Sequence, residues 1–238
     1  MNCDDADTSC FWDKYIDIYR LSIEQLIYTH FFRDTMSSFF DNTKTVGIAF
    51  LIVGIILIVS AIFSIAMGFI EVDAETKGDV KDWTLYCVIG GIGSLICAAL
   101  YTMFALKVFN GSMTAKIEIL ASYVRIVGLT VALGGIFDGV ASIVGGQDAA
   151  AALAGAIMAV VIGLIIMFIA SKINDGKETV GDSIIWIILL IAFVILLVIS
   201  VLEIITIIGI IDGVAHLIIA LFMIAFLFDA DVKKKMNM

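Results

Sequence analysis

The feature that most constrains this chain is a series of apolar segments, each long enough to cross a lipid bilayer. A helix needs about twenty apolar residues to span the hydrocarbon core. Segments of that length lie at 46–70, 83–109, 117–144 and 149–173, and residues 183–228 form one apolar stretch too long for a single crossing. Because backbone groups inside hydrocarbon must pair within their own segment, each crossing is predicted to be an α-helix.

The composition also indicates a membrane protein. Hydrophobic residues make up 62% of the chain and the mean hydropathy is +1.12, whereas a soluble domain is only about half apolar. The formal net charge is −9. Phosphate binding needs a basic surface, so nucleic acid is not expected as a partner. The expected partner of most of the surface is the lipid bilayer.

The last apolar stretch is predicted to form two crossings separated by a tight turn. Asp-Gly pairs favour turns, and one occurs within Gly209–Gly213. The alternative is a break near Ser200–Glu203, which would place Asp212 and His216 inside the sixth helix. We favour the first position. The fifth and sixth spans are then 183–208 and 212–230.

A short repeat suggests how the six spans are grouped. Residues 135–141 read Gly-Ile-Phe-Asp-Gly-Val-Ala, and residues 209–215 read Gly-Ile-Ile-Asp-Gly-Val-Ala. The ends of the second and fourth spans also agree loosely. We therefore predict an all-α polytopic fold of about six transmembrane helices arranged as three two-helix hairpins. The hairpins cover 46–110, 117–174 and 183–231.

The transmembrane domain, residues 46–230, is flanked by two tails. In the N-terminal tail, residues 1–45, aromatic and aliphatic side chains recur at helical spacing and predict an amphipathic helix over 11–40. Acidic residues outnumber basic ones there, so we expect the helix to pack on protein rather than on anionic lipid. Residues 231–238 form a basic C-terminal tail.

The distribution of basic residues predicts the orientation of the chain, because cytoplasmic loops are enriched in Lys and Arg. With six spans, only Lys77 and Lys81 fall on one side of the membrane. Both termini are therefore expected to face the cytoplasm. The basic residues on the predicted cytoplasmic side are Lys14, Arg20, Arg33, Lys44, Lys107, Lys116, Lys172, Lys177, Lys233, Lys234 and Lys235.

Ionisable residues within the spans are costly and are therefore candidates for function. They are Arg125, Asp138, Glu203, Asp212 and His216. Asp138 lies about 20 Å beyond Arg125 along the third span, which places the three acids and the histidine at one depth near the outer face. That group could bind a cation or relay protons, and carboxylate and imidazole ligands suit a divalent transition metal. No particular metal is predicted.

A purely structural interpretation competes with the cation site. Asp212 could cap the sixth helix, and Glu203 could pair with His216. Arg125 is expected to pair with Glu118 or to extend to the inner headgroups. We favour this structural interpretation.

Small residues at four-residue spacing predict close contacts between helices. Such contacts could lie within the chain or between copies of it. The residues concerned are Gly90, Ser94, Gly135, Gly139, Gly209 and Gly213.

No sequence motif indicates catalysis. A nucleophile elbow, a phosphate loop and a zinc-protease helix are all missing from the sequence, so neither an enzyme nor a cofactor is expected. Two functions remain. The favoured one is a non-enzymatic structural or accessory protein that forms homo-oligomers or complexes through its N-terminal helix and Gly-x-x-x-Gly faces. The alternative is a small transporter or channel for cations or protons.

Overall fold

The structure, a computed structural model, describes residues 42–174, 180–205 and 210–238. The predicted helix over 11–40 and Gly209 lie outside these ranges. Within them every regular element is an α-helix. The helices are α1 Thr43–Met67, α2 Ala74–Lys77, α3 Trp83–Phe109, α4 Lys116–Val144, α5 Ala149–Ile173, α6 Val180–Ile205, α7 Ile210–Leu227 and α8 Ala230–Lys235.

Six of these helices, α1 and α3–α7, are long and apolar enough to cross a bilayer. The protein is therefore a multi-pass integral membrane protein with an all-α fold, as the sequence predicted. The last two spans differ in detail from the prediction. α6 ends at Ile205 and α7 already begins at Ile210. Asp212 consequently lies in the first turn of α7, and His216 lies one turn further into the helix.

The spans pack mainly as consecutive pairs. The most extensive contacts join α1 with α3, α4 with α5, and α6 with α7, which is the arrangement expected of three hairpins. Contacts of α3 with α4 and of α1 with α7 hold the hairpins together, whereas α5 and α6 barely touch. The helices thus form a ring whose weakest side is the junction of α5 and α6.

Short polar contacts fix the helix ends on the face that carries the C terminus, called here the C-terminal face. Asp229 caps α8 and accepts a hydrogen bond from Lys116 Nζ at 2.5 Å, which ties the start of α4 to the end of α7. Partial burial of Asp229 disfavours its ionisation. The hydrogen bond and charge of Lys116 outweigh that burial and, with backbone N–H groups of the α8 cap, hold the pKa of Asp229 below its ordinary value. Trp186 Nε1 donates to Leu227 O at 2.8 Å and joins α6 to α7.

On the opposite face, hydrogen bonds also hold the helix ends and the segments that connect the spans. Trp83 Nε1 donates to Met67 O at 3.0 Å, and Lys81 N donates to Gly145 O at 2.7 Å. Asp82 caps α3 by accepting from Leu85 N, and Asp148 caps α5 by accepting from two backbone N–H groups. The first two bonds tie the start of α3 to the ends of α1 and α4, and the two caps satisfy backbone N–H groups at the starts of α3 and α5.

Several of the predicted small-residue contacts occur between helices. A Cβ added to Gly139 would lie 2.8 Å from Ala156 Cβ, and one added to Gly213 would lie 2.9 Å from Ser200 O. Gly135 packs still more closely on Ala159. A Cβ on Gly90 would meet no atom of the described residues within 4 Å, so Gly90 makes no close helix contact there, and a contact between copies stays a prediction. Ser94 is exposed and lines the cavity described below.

One close approach of two backbones was not predicted. At the crossing of α4 and α5, Gly128 and Gly163 face each other. A Cβ on Gly163 would lie 2.5 Å from Gly128 O, and a Cβ on Gly128 would lie 2.7 Å from Gly163 O. Each glycine is four residues from an alanine in its own span, Gly128 from Ala132 and Gly163 from Ala159, which is a spacing signal that the sequence analysis did not use.

Candidate cation site in the central cavity

The ring of helices surrounds a partly open cavity of about 740 Å³. All six spans contribute side chains to its wall. On α4 the lining extends from Tyr123 to Asp138, which corresponds to about 22 Å along the helix axis. The volume lies within the range of about 300–1,000 Å³ that is typical of small-molecule sites. The cavity is therefore long and large enough for an organic molecule.

The two ends of the cavity differ in chemistry. Near the C-terminal face, Tyr123 packs edge-on against Tyr101, with ring centroids 6.4 Å apart, and also contacts Phe193 at 6.1 Å. These rings are buried and form an aromatic end wall. Towards the opposite face the lining becomes polar. Its polar side chains are Ser60, Ser64, Ser94, Cys97, Thr130, Asp138 and His216.

Among the described residues, Asp138 is the only carboxylate in the lining of this cavity. Its side chain is exposed rather than packed against protein. Across the described ranges no hydrogen bond or ion pair to its carboxyl group is found. A carboxylate at this depth is costly unless a cation, a proton or water compensates it. Asp138 is therefore positioned to accept a positively charged group in the cavity.

The other two acids of the predicted cluster already have protein partners. Glu203 Oε2 lies 2.8 Å from His216 Nδ1, which joins α6 to α7. Ser60 Oγ donates to Asp212 Oδ1 at 3.3 Å, which joins α7 to α1. His216 and Ser60 line the cavity, whereas Glu203 and Asp212 do not. The two acids thus lie outside the cavity lining, where Glu203 positions His216 and Asp212 positions Ser60.

The structure gives no support for a metal centre. Among the described residues, no group of three or more His, Cys, Asp or Glu side chains could hold a metal ion. The cavity offers a single carboxylate with hydroxyl groups around it, which is a weak ligand set for a divalent ion. The lining is better suited to a monovalent or organic cation.

Arg125 lies apart from this site. Its side chain is exposed and does not line the cavity. The described residues include no ion pair between Arg125 and Glu118, so that predicted pair is not formed. Extension of the guanidinium along the helix towards the headgroups, the second possibility, stays a prediction.

Sequence reasoning missed the hydroxyl groups of the site. Ser60 and Ser64 are four residues apart on α1 and line the same wall, and Thr130 faces them from α4. The spacing of the two serines within an otherwise apolar span was a usable signal, because residues four apart share one helix face. The aromatic end wall left no comparable signal, since aromatic residues are frequent throughout these spans.

Comparisons of the chain with protein-family models, with curated proteins and with solved structures found no match. The functional argument consequently depends on the geometry of the cavity.

Proposed function

We propose that the protein is a carrier for a small monovalent cation, which binds to Asp138 in the central cavity. The observation that supports this most directly is a carboxylate that has no partner among the described residues and lies in a cavity that all six spans line. Because an isolated charge in a low-dielectric cavity is strongly disfavoured, the bound cation would remove that cost. This difference between the occupied and empty cavity supplies the binding energy.

The surrounding groups fit this role. The hydroxyls of Ser64 and Ser94 and the ring of His216 can accept hydrogen bonds from an ammonium group or replace part of an ion's hydration shell. Glu203 and Asp212 hold His216 and Ser60 at the wall. The proposed role requires no covalent change in the ligand, which agrees with the expectation that the protein is not an enzyme.

The test is cation uptake by proteoliposomes containing the purified protein. Sodium, potassium, protons and methylammonium are the probes. We expect uptake of at least one of them, and Asp138→Asn should reduce it at least tenfold. Asp79→Asn makes the same chemical change in an exposed loop and should leave uptake unchanged. The absence of uptake for every probe, or equal uptake by wild type and Asp138→Asn, would contradict the proposal.

A second candidate function, a complex-forming or accessory subunit, is favoured by the surface of α5. This span is the least buried of the six. Gly155 lies on its exposed side, where an added Cβ would meet no atom within 4 Å, so another helix could approach closely there. The test is the mass of the protein in lipid nanodiscs. A monomer without copurifying partners would contradict this candidate, and an oligomer that Gly155→Leu dissociates would support it.

We also propose that both termini face the cytoplasm. The support is the number of lysines at the C-terminal face, including Lys116 and those of α8, compared with the opposite face. Cysteine substitutions at Lys77 and Met238, in a background lacking Cys3 and Cys10, can be tested with a membrane-impermeant thiol reagent. Labelling of the Met238 position in intact cells would contradict this orientation.

A further inference from the structure

The wall of the central cavity is thinnest between α5 and α6. The other neighbouring spans in the ring are held together by extensive contacts, but these two barely meet. Four apolar side chains that line the cavity lie along this junction. They are Ile166 and Ile169 on α5 and Ile188 and Ala192 on α6, and they are called here the α5–α6 seam.

Two residues of the seam line the cavity and are also exposed. Ile188 lines the cavity, yet 44% of its surface is exposed. Ala192, one helical turn further along α6, also lines the cavity and is exposed. Because α5 and α6 also barely touch beside these residues, an opening whose edge they form accounts for both properties. Since this edge is apolar and lies within the membrane spans, the opening faces lipid hydrocarbon.

The geometry points to an amphipathic organic cation as the ligand, a protonated amine on an apolar body, which enters from the bilayer through the α5–α6 seam. This inference rests on the proposed role of Asp138 as the cation-binding group. The amine would bind Asp138 among the hydroxyls, and the apolar body would extend towards Tyr123 and the seam. The charged amine would thus contact the polar end of the cavity, and the apolar body would contact its aliphatic and aromatic end.

The distribution of polarity argues against an inorganic ion as the preferred ligand. A bare ion needs several oxygen ligands around it, whereas most of this cavity is lined by aliphatic and aromatic side chains. A ligand with an apolar body gains from burying that body, whereas a hydrated ion gains nothing from the apolar wall and has only part of its hydration shell replaced by the hydroxyls.

The entry route can be tested with one bulky substitution at the seam and one beside it. Ala192→Trp places a large ring in the opening. Ile191→Trp is the matched control, because Ile191 is 54% exposed on the same helix but does not line the cavity. Both variants, wild type and Asp138→Asn are compared in nanodiscs, with thermal unfolding used to confirm that each is folded. Ala192→Phe provides a smaller obstruction if the tryptophan variant is unstable.

The probes are octylammonium and methylammonium, which carry the same charge but differ in apolar length. We expect wild type to bind octylammonium at least about tenfold more tightly, because several additional CH₂ groups are buried. Ala192→Trp should slow octylammonium association at least about tenfold, and Ile191→Trp should leave it unchanged.

The outcomes separate the two proposals. Binding that depends on Asp138 but does not favour the longer amine, or that Ala192→Trp and Ile191→Trp affect equally, would overturn the inference and leave the cation site standing. Binding of neither amine, together with no uptake of any inorganic cation, would overturn both. Tighter binding of octylammonium that Asp138→Asn abolishes, with slower association only in Ala192→Trp, would support both.

Discussion

The crossing of α4 and α5 allows the sharpest test of the packing, because two glycines face each other there, each close to the backbone of the other. A Cβ on Gly163 would lie 2.5 Å from Gly128 O and 2.9 Å from Ala132 N. Both contacts are with backbone atoms, so no side-chain rotation can relieve them. Gly163→Ala and Gly128→Ala are therefore expected to push the two helices apart or to strain them.

The size of the effect follows from the distances. Ordinary van der Waals contacts of a Cβ begin near 3.4 Å. Starting from 2.5 Å, the helices must separate by about 0.9 Å at the crossing. Overpacking of this kind costs about 1–3 kcal/mol, which corresponds to a fall in Tm of about 3–10 °C for a chain of this size. The second methyl should add less than the first, because one displacement relieves both contacts.

The measurement is thermal unfolding in a mild detergent, followed by circular dichroism. Gly155→Ala on α5 and Gly134→Ala on α4 are matched controls, because a Cβ at either position meets no atom within 4 Å. These controls should be neutral or slightly stabilising, since Ala favours helix over Gly. If Gly163→Ala unfolds at the same temperature as Gly155→Ala, the α4–α5 crossing is not as close as the structure places it.

Three further predictions concern single side chains and are measured by the same unfolding assay. Tyr101 Oη is buried and has no hydrogen-bond partner within the described ranges, so Tyr101→Phe should leave stability unchanged or raise it by up to about 2 kcal/mol; a clear loss would contradict this. Trp186→Phe should cost about 1–3 kcal/mol, because Leu227 O loses its buried donor; no change would show that the bond contributes nothing. The lowered pKa of Asp229 means that its pairing with Lys116 stabilises the fold above about pH 4 and is lost as the pH falls through the lowered value. The gap between wild type and Asp229→Asn, about 1 kcal/mol or less at pH 7, should therefore close in acid, and a gap that widens would refute the assignment.

The number of spans was predictable from the sequence, whereas the contacts between them were largely not. The spans follow from the length and apolarity that hydrocarbon requires. Which face of a span meets its neighbour depends on the rotation of the helix about its axis. In a helix that is apolar on every side, the sequence does not indicate that rotation. Gly90 shows the consequence: it faces open space, while the next residue, Gly91, packs closely on Ile65. One residue, about 100° of rotation, separates a glycine without a close contact from one that has it.

The last span begins at Ile210, two residues before its predicted start at 212. Asp-Gly favours a turn in water, where the freed backbone groups are hydrated. Near the hydrocarbon core they are not, and extending α7 back to Ile210 pairs more of them within the helix. Asp212 then lies in the first turn, where its charge suits the helix N-terminus, and accepts a hydrogen bond from Ser60.

The depth of the ionisable residues was predictable, but depth did not identify the site. Glu203 and Asp212 have protein partners in His216 and Ser60 and stand outside the cavity lining. A bound cation would have to compete with those partners. At Asp138 it would face no such competition, and it would also remove the cost of an uncompensated carboxylate. The three acids lie at one depth but differ in their partners on neighbouring helices. Glu203 and Asp212 bond to residues of the cavity wall, whereas Asp138 faces the cavity itself.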